Sequence, residues 1–116
     1  PYLQYTYARL SRILKKAKRV PKPDVTALEE NRDFAIVLKL AEFPEILTRA
    51  SRSYMPHYLA NYLYELAKEA NSFYQSEPVL SAVPKLKNIR LNLVQETAQV
   101  LKTGLHLLGI ETVERM

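Results

Sequence analysis

Cysteine is absent from this 116-residue chain. That excludes disulfides, thiolate metal sites and thiol nucleophiles together, and it is compatible with a cytoplasmic protein. Tryptophan is also absent, and there are only two glycines, with no Asn-Gly or Asp-Gly pair. Hairpins built on tight primed turns are therefore not expected. No apolar run approaches the roughly 18 residues a membrane-spanning helix needs. No charged, apolar, then small-residue signal pattern opens the chain. Gly-x-Gly-x-x-Gly and Walker-type phosphate loops are missing. The most telling absence is negative charge in residues 1–22. That stretch holds seven cations (Arg9, Arg12, Lys15, Lys16, Lys18, Arg19 and Lys22) and no acid. The remaining 94 residues hold ten cations and twelve acids, so the net charge of +5 is one patch. A patch of one sign suggests a docking surface for a polyanion. The plainer alternative is a solvated helix face followed by a basic linker.

What is present is helical periodicity, in one domain long enough for a single core. At about 100° per residue, Leu3, Tyr7, Leu10, Leu14 and Ala17 form one stripe of a first helix over residues 1–19. Tyr2, Tyr5, Arg9, Arg12, Lys16 and Arg19 point the other way, so the outward face carries two rings and then four cations. Pro21 and Pro23 stop this helix. Thr26 with Glu29 is a capping-box pattern, which predicts a second helix over about residues 27–42 with Phe34, Val37, Leu38 and Ala41 inward. Pro44 suits the first turn of a short third helix to Ser53, with Ile46, Leu47, Ala50 and Tyr54 inward. Pro56 opens a fourth, to about Gln75, with Leu59, Leu63, Leu66, Ala70 and Phe73 as its stripe and Tyr58 and Tyr62 leaning on it.

Residues 77–84 read as a loop. A fifth helix follows over about residues 85–108, with Val94, Ala98, Leu101, Leu105 and Leu108 as its seam. Leu91, Leu93, Val100 and Leu107 widen its apolar arc, which predicts contact on more than one side. Gly104 costs about 1 kcal/mol against Ala in a helix interior and fits there if another backbone packs close, and Gly109 suits the position just past the helix end. The expected fold is all-α: an antiparallel helical bundle of four long helices and one short helix.

Catalytic chemistry is not indicated. His57 and His106 lie 49 residues apart with no Cys or carboxylate pair beside either. Glu65 and Glu69 lie i,i+4, but with no basic partner set by a motif they read as a solvated helix face. Binding is the better expectation. Eight tyrosines are present, and Tyr2, Tyr5 and Tyr74 do not follow the apolar stripes. Exposed rings beside cations suit single-stranded RNA, whose bases stack for about 1–3 kcal/mol each while Arg and Lys hold phosphates. Tyrosine covering the edge of a core is the competing explanation for any one ring.

Four stretches carry a resemblance to a known family. The ending Leu107-Leu108-Gly109-Ile110-Glu111-Thr112-Val113-Glu114-Arg115-Met116 resembles the C-terminus of arginyl-tRNA synthetases. Pro1-Tyr2-Leu3-Gln4-Tyr5-Thr6-Tyr7-Ala8-Arg9 resembles the opening helix of that enzyme's anticodon-binding domain. Leu38-Lys39-Leu40-Ala41-Glu42-Phe43-Pro44 resembles its second helix and turn. Residues 60–67 with Asn71-Ser72-Phe73-Tyr74 resemble its fourth. The resemblance spans the chain and implies a DALR-type anticodon-binding domain of a class Ia synthetase, cut from a longer enzyme. The Pro at position 1 agrees with a fragment.

By that resemblance the parent ligates arginine to its tRNA using ATP and Mg. Its catalytic domain lies upstream, and this fragment holds no catalytic site, cofactor or metal. The partners implied are the anticodon loop of arginine-specific tRNA and the upstream domain, with no membrane. Tyr2, Tyr5 and Arg9 match first-helix contacts, Tyr74 matches a ring near the anticodon, and Met116 matches a chain end placed beside it. Arg12 and Lys16 join them as phosphate holders on the charge pattern alone. Every arginine codon has G in the middle, so the central anticodon C is the base expected to be read.

The sequence departs from the family at two places. Tyr7 stands where many members have His, and it reads as core. The class's four letters are not spelled out near Asn88-Ile89-Arg90-Leu91, where Arg90 reads as a structural tie. The rivals are a helical protein-interaction module with a basic docking helix, a membrane-surface first helix, and the related domain of the cysteinyl enzyme, which the Val-Glu-Arg-Met ending disfavours.

Overall fold

A computed structural model describes residues 1–22, 32–53, 56–76, 79–80, 82, 84–110 and 112. They form five helices: α1 (Tyr2–Ala17), α2 (Arg32–Ala41), α3 (Phe43–Ser53), α4 (Pro56–Ser76) and α5 (Pro84–Leu107). No strand occurs among the described residues. The capping pattern at Thr26–Glu29, the inward Tyr54 and the chain end at Met116 lie outside the described residues. Three helices are long, at 16, 21 and 24 residues, and the described parts of α2 and α3 have 10 and 11.

The centre is α4, which touches all four other helices. Its stripe of Leu59, Leu63, Leu66, Ala70 and Phe73 is buried as the spacing predicts, as is Tyr62, whereas Tyr58 is exposed beside His57. Burying each large apolar side chain contributes about 1.5–3 kcal/mol. The seam of α5 is buried from Val94 through Leu105, with Leu108 half-buried, and α5 meets α1, α2 and α4. The buried Thr97 hydroxyl donates to the Leu93 carbonyl at 2.7 Å, so that hydroxyl is paired within the helix. Arg90 is buried, which agrees with a structural side chain.

The ends of α5 follow local rules. Pro84 opens it, where a missing N–H costs nothing. Gly109 closes it at φ 79°. The Ile110 N–H donates to the Leu105 carbonyl at 2.8 Å and the Gly109 N–H to His106 at 2.9 Å, a Schellman closure.

Several expectations change. The bundle is not uniformly antiparallel: α1 and α4 run in the same sense, since Tyr2 meets Tyr64 and Arg9 meets Tyr74 further along. Both oppose α5, where Asn92 reaches Pro21 and Gly104 meets Leu63. The chain returns between α1 and α4 through α2 and α3, which makes this possible.

On α2 the inward residue is Ile36, 1% exposed, whereas Phe34 and Leu38 are 47% and 64% exposed and Ala41 faces solvent. Apolar residues ring α2 almost completely, so periodicity alone cannot choose its rotation. Contacts with α4 choose it: the Tyr62 hydroxyl donates to the Lys39 carbonyl at 2.6 Å, and Lys39 Nζ donates to Glu65 at 2.7 Å. Leu107 is exposed rather than part of the apolar arc. Gly104 faces a side chain, not a backbone: a Cβ there would lie 2.6 Å from Leu63 Cδ1.

Candidate nucleic-acid interface

The apolar stripe of α1 is buried against the bundle, with Tyr7 at 7% and Leu10 at 2% exposure and Leu14 packed at the core edge. A membrane-surface role for α1 would need that stripe exposed, so the packing counts against it. Its opposite face carries the rings and cations that the spacing predicts. Tyr2 and Tyr5 are exposed, Arg9 and Arg12 are half-buried, and Lys16 and Arg19 are exposed. The first turn of α1 contains no acid, so its partial positive end is not offset.

Against this face lies the second half of α4, and one amide joins them. Asn71 Oδ1 accepts a hydrogen bond from Arg9 Nη1 at 3.1 Å. Its Nδ2 donates to the Tyr2 hydroxyl and to Thr6 Oγ1, both at 3.0 Å. The Thr6 hydroxyl in turn donates to the Tyr2 carbonyl at 3.0 Å. Arg has only donors, so the amide oxygen must face Arg9, which fixes the orientation of the Asn71 side chain. Arg9 also lies over the Tyr74 ring, 4.1 Å from its centroid. Such a stack is worth about 0.5–1 kcal/mol at an exposed site and leaves guanidinium donors at the rim.

Sequence reasoning missed three members of this cluster. The Tyr64 ring packs against Tyr2 at 5.3 Å between centroids, tilted by 51°. Lys68 Nζ lies 5.4 Å from the Tyr64 centroid. Asn71 is the third. Residues 64, 68 and 71 do share a helical stripe, but nothing in the sequence says that this stripe faces α1.

The structure therefore brings Tyr2, Arg9 and Tyr74 together, with Tyr5 one turn from Tyr2 on the same face. Arg12 and Lys16 make no contact with this cluster among the described residues. They continue the face for about 10 Å beyond Arg9 at the helical rise. No group of residues suited to a metal is found among the described residues. Glu65 is held below the ordinary carboxylate range by the hydrogen bond from Lys39 and then by that residue's charge. Burial, then the Glu42 carboxylate, pushes the Tyr62 hydroxyl up, which keeps it a donor.

Comparison with known proteins agrees with this architecture. The chain is 48% identical, along its whole length, to an arginine–tRNA ligase of Shewanella frigidimarina. It is 44% identical to the same enzyme of Haemophilus ducreyi. It spans only about one fifth of those relatives, 20% and 21% of their lengths. The solved structure of Thermus thermophilus arginyl-tRNA synthetase superposes with a TM-score of 0.95 at 39% identity, covering 100% of this chain and 21% of that one. No described helix is long and apolar enough to cross a membrane. The family model that matches residues 3–116 is the DALR anticodon binding domain, and this chain belongs to that family.

Proposed function

We propose that this chain is the part of an arginine–tRNA ligase that reads the anticodon loop, with α1 and the end of α4 as the reading surface. The observation that carries this is the Asn71-centred cluster, which holds two rings and a guanidinium on one exposed face beside a strip of cations. Tyr5 and Tyr74 would stack on splayed bases. Arg9, Arg12 and Lys16 would hold loop phosphates, with Tyr2 lining the same surface. Met116 joins the site by resemblance, and atoms near it would read a base edge. Ligation of arginine, and the ATP and magnesium it needs, would belong to the remainder of the parent enzyme.

The test is binding of this chain to an arginine-tRNA anticodon stem–loop at two salt concentrations, against the same loop with its central C changed to U. Tighter binding to C, lost in Tyr74→Ala, is the expected result. Equal affinity for both loops would leave only phosphate holding. No binding to either at low salt would overturn the proposal.

A further inference from the structure

A second polar surface of α1 lies apart from the aromatic cluster. Between α1 and α5 there is a cleft of about 590 Å³ whose charged lining among the described residues is Lys15, Lys18 and Lys102, with no acid among them. Gln95 and Gln99 of α5 also line it. Lys15 lies about 120° around α1 from Arg9 at the helical turn per residue. The strip between them carries Arg12 and Lys16, so cations run from the aromatic cluster across α1 to the cleft.

One backbone feature sets Lys18 apart. It ends α1 at φ 69° and ψ −39°, with its N–H donating to the Leu14 and Lys15 carbonyls at 3.1 and 3.3 Å. Positive φ is costly for a side chain with a Cβ, and glycine would adopt it freely. The chain places a lysine there, at the lip of a cleft that already holds two more.

We infer that this cleft holds the sugar-phosphate chain of the same RNA whose loop the aromatic cluster reads, an inference that rests on the function proposed above. Lysine ammonium groups suit phosphates as mobile point charges. Glutamine amides can donate to phosphate oxygens and accept from a ribose 2′-hydroxyl, the group that marks RNA. An acidic protein would also be drawn to the lysines. The continuous cationic strip toward stacked rings favours RNA over it.

The experiment is a salt titration of stem–loop binding by this chain and by the triple variant Lys15→Gln, Lys18→Gln, Lys102→Gln. Each lysine on a phosphate contributes about 1 to the slope of log affinity against log salt. The triple variant is expected to lose about 2–3 from that slope and at least about tenfold in affinity at low salt, while keeping its preference for the central C. Unchanged slope and affinity would overturn the inference and leave the anticodon reading intact. Failure of the unaltered chain to bind any stem–loop would overturn both. Displacement of the stem–loop by polyglutamate at equal charge concentration would overturn it in favour of an acidic protein. Lys18→Gly separates binding from folding: it is expected to keep or raise Tm while weakening RNA binding, and unchanged binding would count against the cleft.

Discussion

Asn71 accepts from Arg9 and donates to Tyr2, so one amide on α4 sets two α1 side chains that stand two turns apart. The amide accepts on one side and donates on the other. Asn71→Ala should therefore weaken stem–loop binding by about tenfold, the effect of losing one or two net hydrogen bonds of about 1 kcal/mol each. Asn71→Asp should weaken it further, because a carboxylate would hold Arg9 in competition with phosphate. Stem–loop titration checks both, and wild-type affinity in the alanine variant would show that the amide does not organise the site.

Arg9 over Tyr74 separates charge from shape. Arg9→Lys keeps the charge but loses the flat stack and the fork of donors. The expected outcome is a loss of about 3–10-fold in affinity with an unchanged salt slope. A changed slope with unchanged affinity at low salt would mean that Arg9 acts only as a charge.

Gly104 is set by Leu63. An added Cβ would lie 2.6 and 2.7 Å from the two Leu63 methyl carbons, and Leu63 is fully buried. Alanine gains about 1 kcal/mol in helix propensity, but overpacking a core costs about 1–3 kcal/mol. Gly104→Ala should therefore destabilise by about 1 kcal/mol in urea unfolding. In a Leu63→Ala background the same change should become neutral or stabilising, and equal effects in both backgrounds would rule out this contact as the cause.

The end of α2 is held by two α4 side chains. Tyr62→Phe removes the side-chain donor to the Lys39 carbonyl, which also accepts from the Glu42 N–H at 3.2 Å. It should cost about 0.5–1.5 kcal/mol. The Lys39–Glu65 pair is exposed on the Glu65 side and should contribute less. Its pH dependence has a definite sign. Glu65 has a lowered folded pKa, so its contribution is complete above the ordinary value of 4.5 and is lost as pH falls through the lower folded value. Glu65→Gln should differ slightly from wild type in urea at pH 7 and converge with it in acid. A difference that grew in acid would contradict the pairing.

How much of this was legible beforehand varies by element. The α4 stripe was readable because its apolar residues follow one helical face and polar ones the other. The stripe of α1 and the helix end at Gly109 were readable for equally local reasons, whereas Pro84, read as the limit of the preceding loop, opens α5. The rotation of α2 was not, because apolar residues surround it and only Tyr62 and Glu65 choose its angle. Of the candidate site, Tyr2, Arg9 and Tyr74 were picked out from ring and charge spacing, and the structure brings them to one cluster. Tyr64, Lys68 and Asn71 were not, since their stripe on α4 reads as an ordinary solvated face until α1 lies against it.

The sequence by itself determined the helices, the basic character of one end and the family, all properties of residues close together along the chain. Tertiary structure decided the rest. It ran α1 and α4 in the same sense, fixed Arg9 on Tyr74 through Asn71, and opened a lysine-lined cleft against α5. Those relationships join residues about sixty to ninety positions apart. Helical periodicity says which side of a helix is apolar, but not which neighbour that side, or the polar side beside it, will meet.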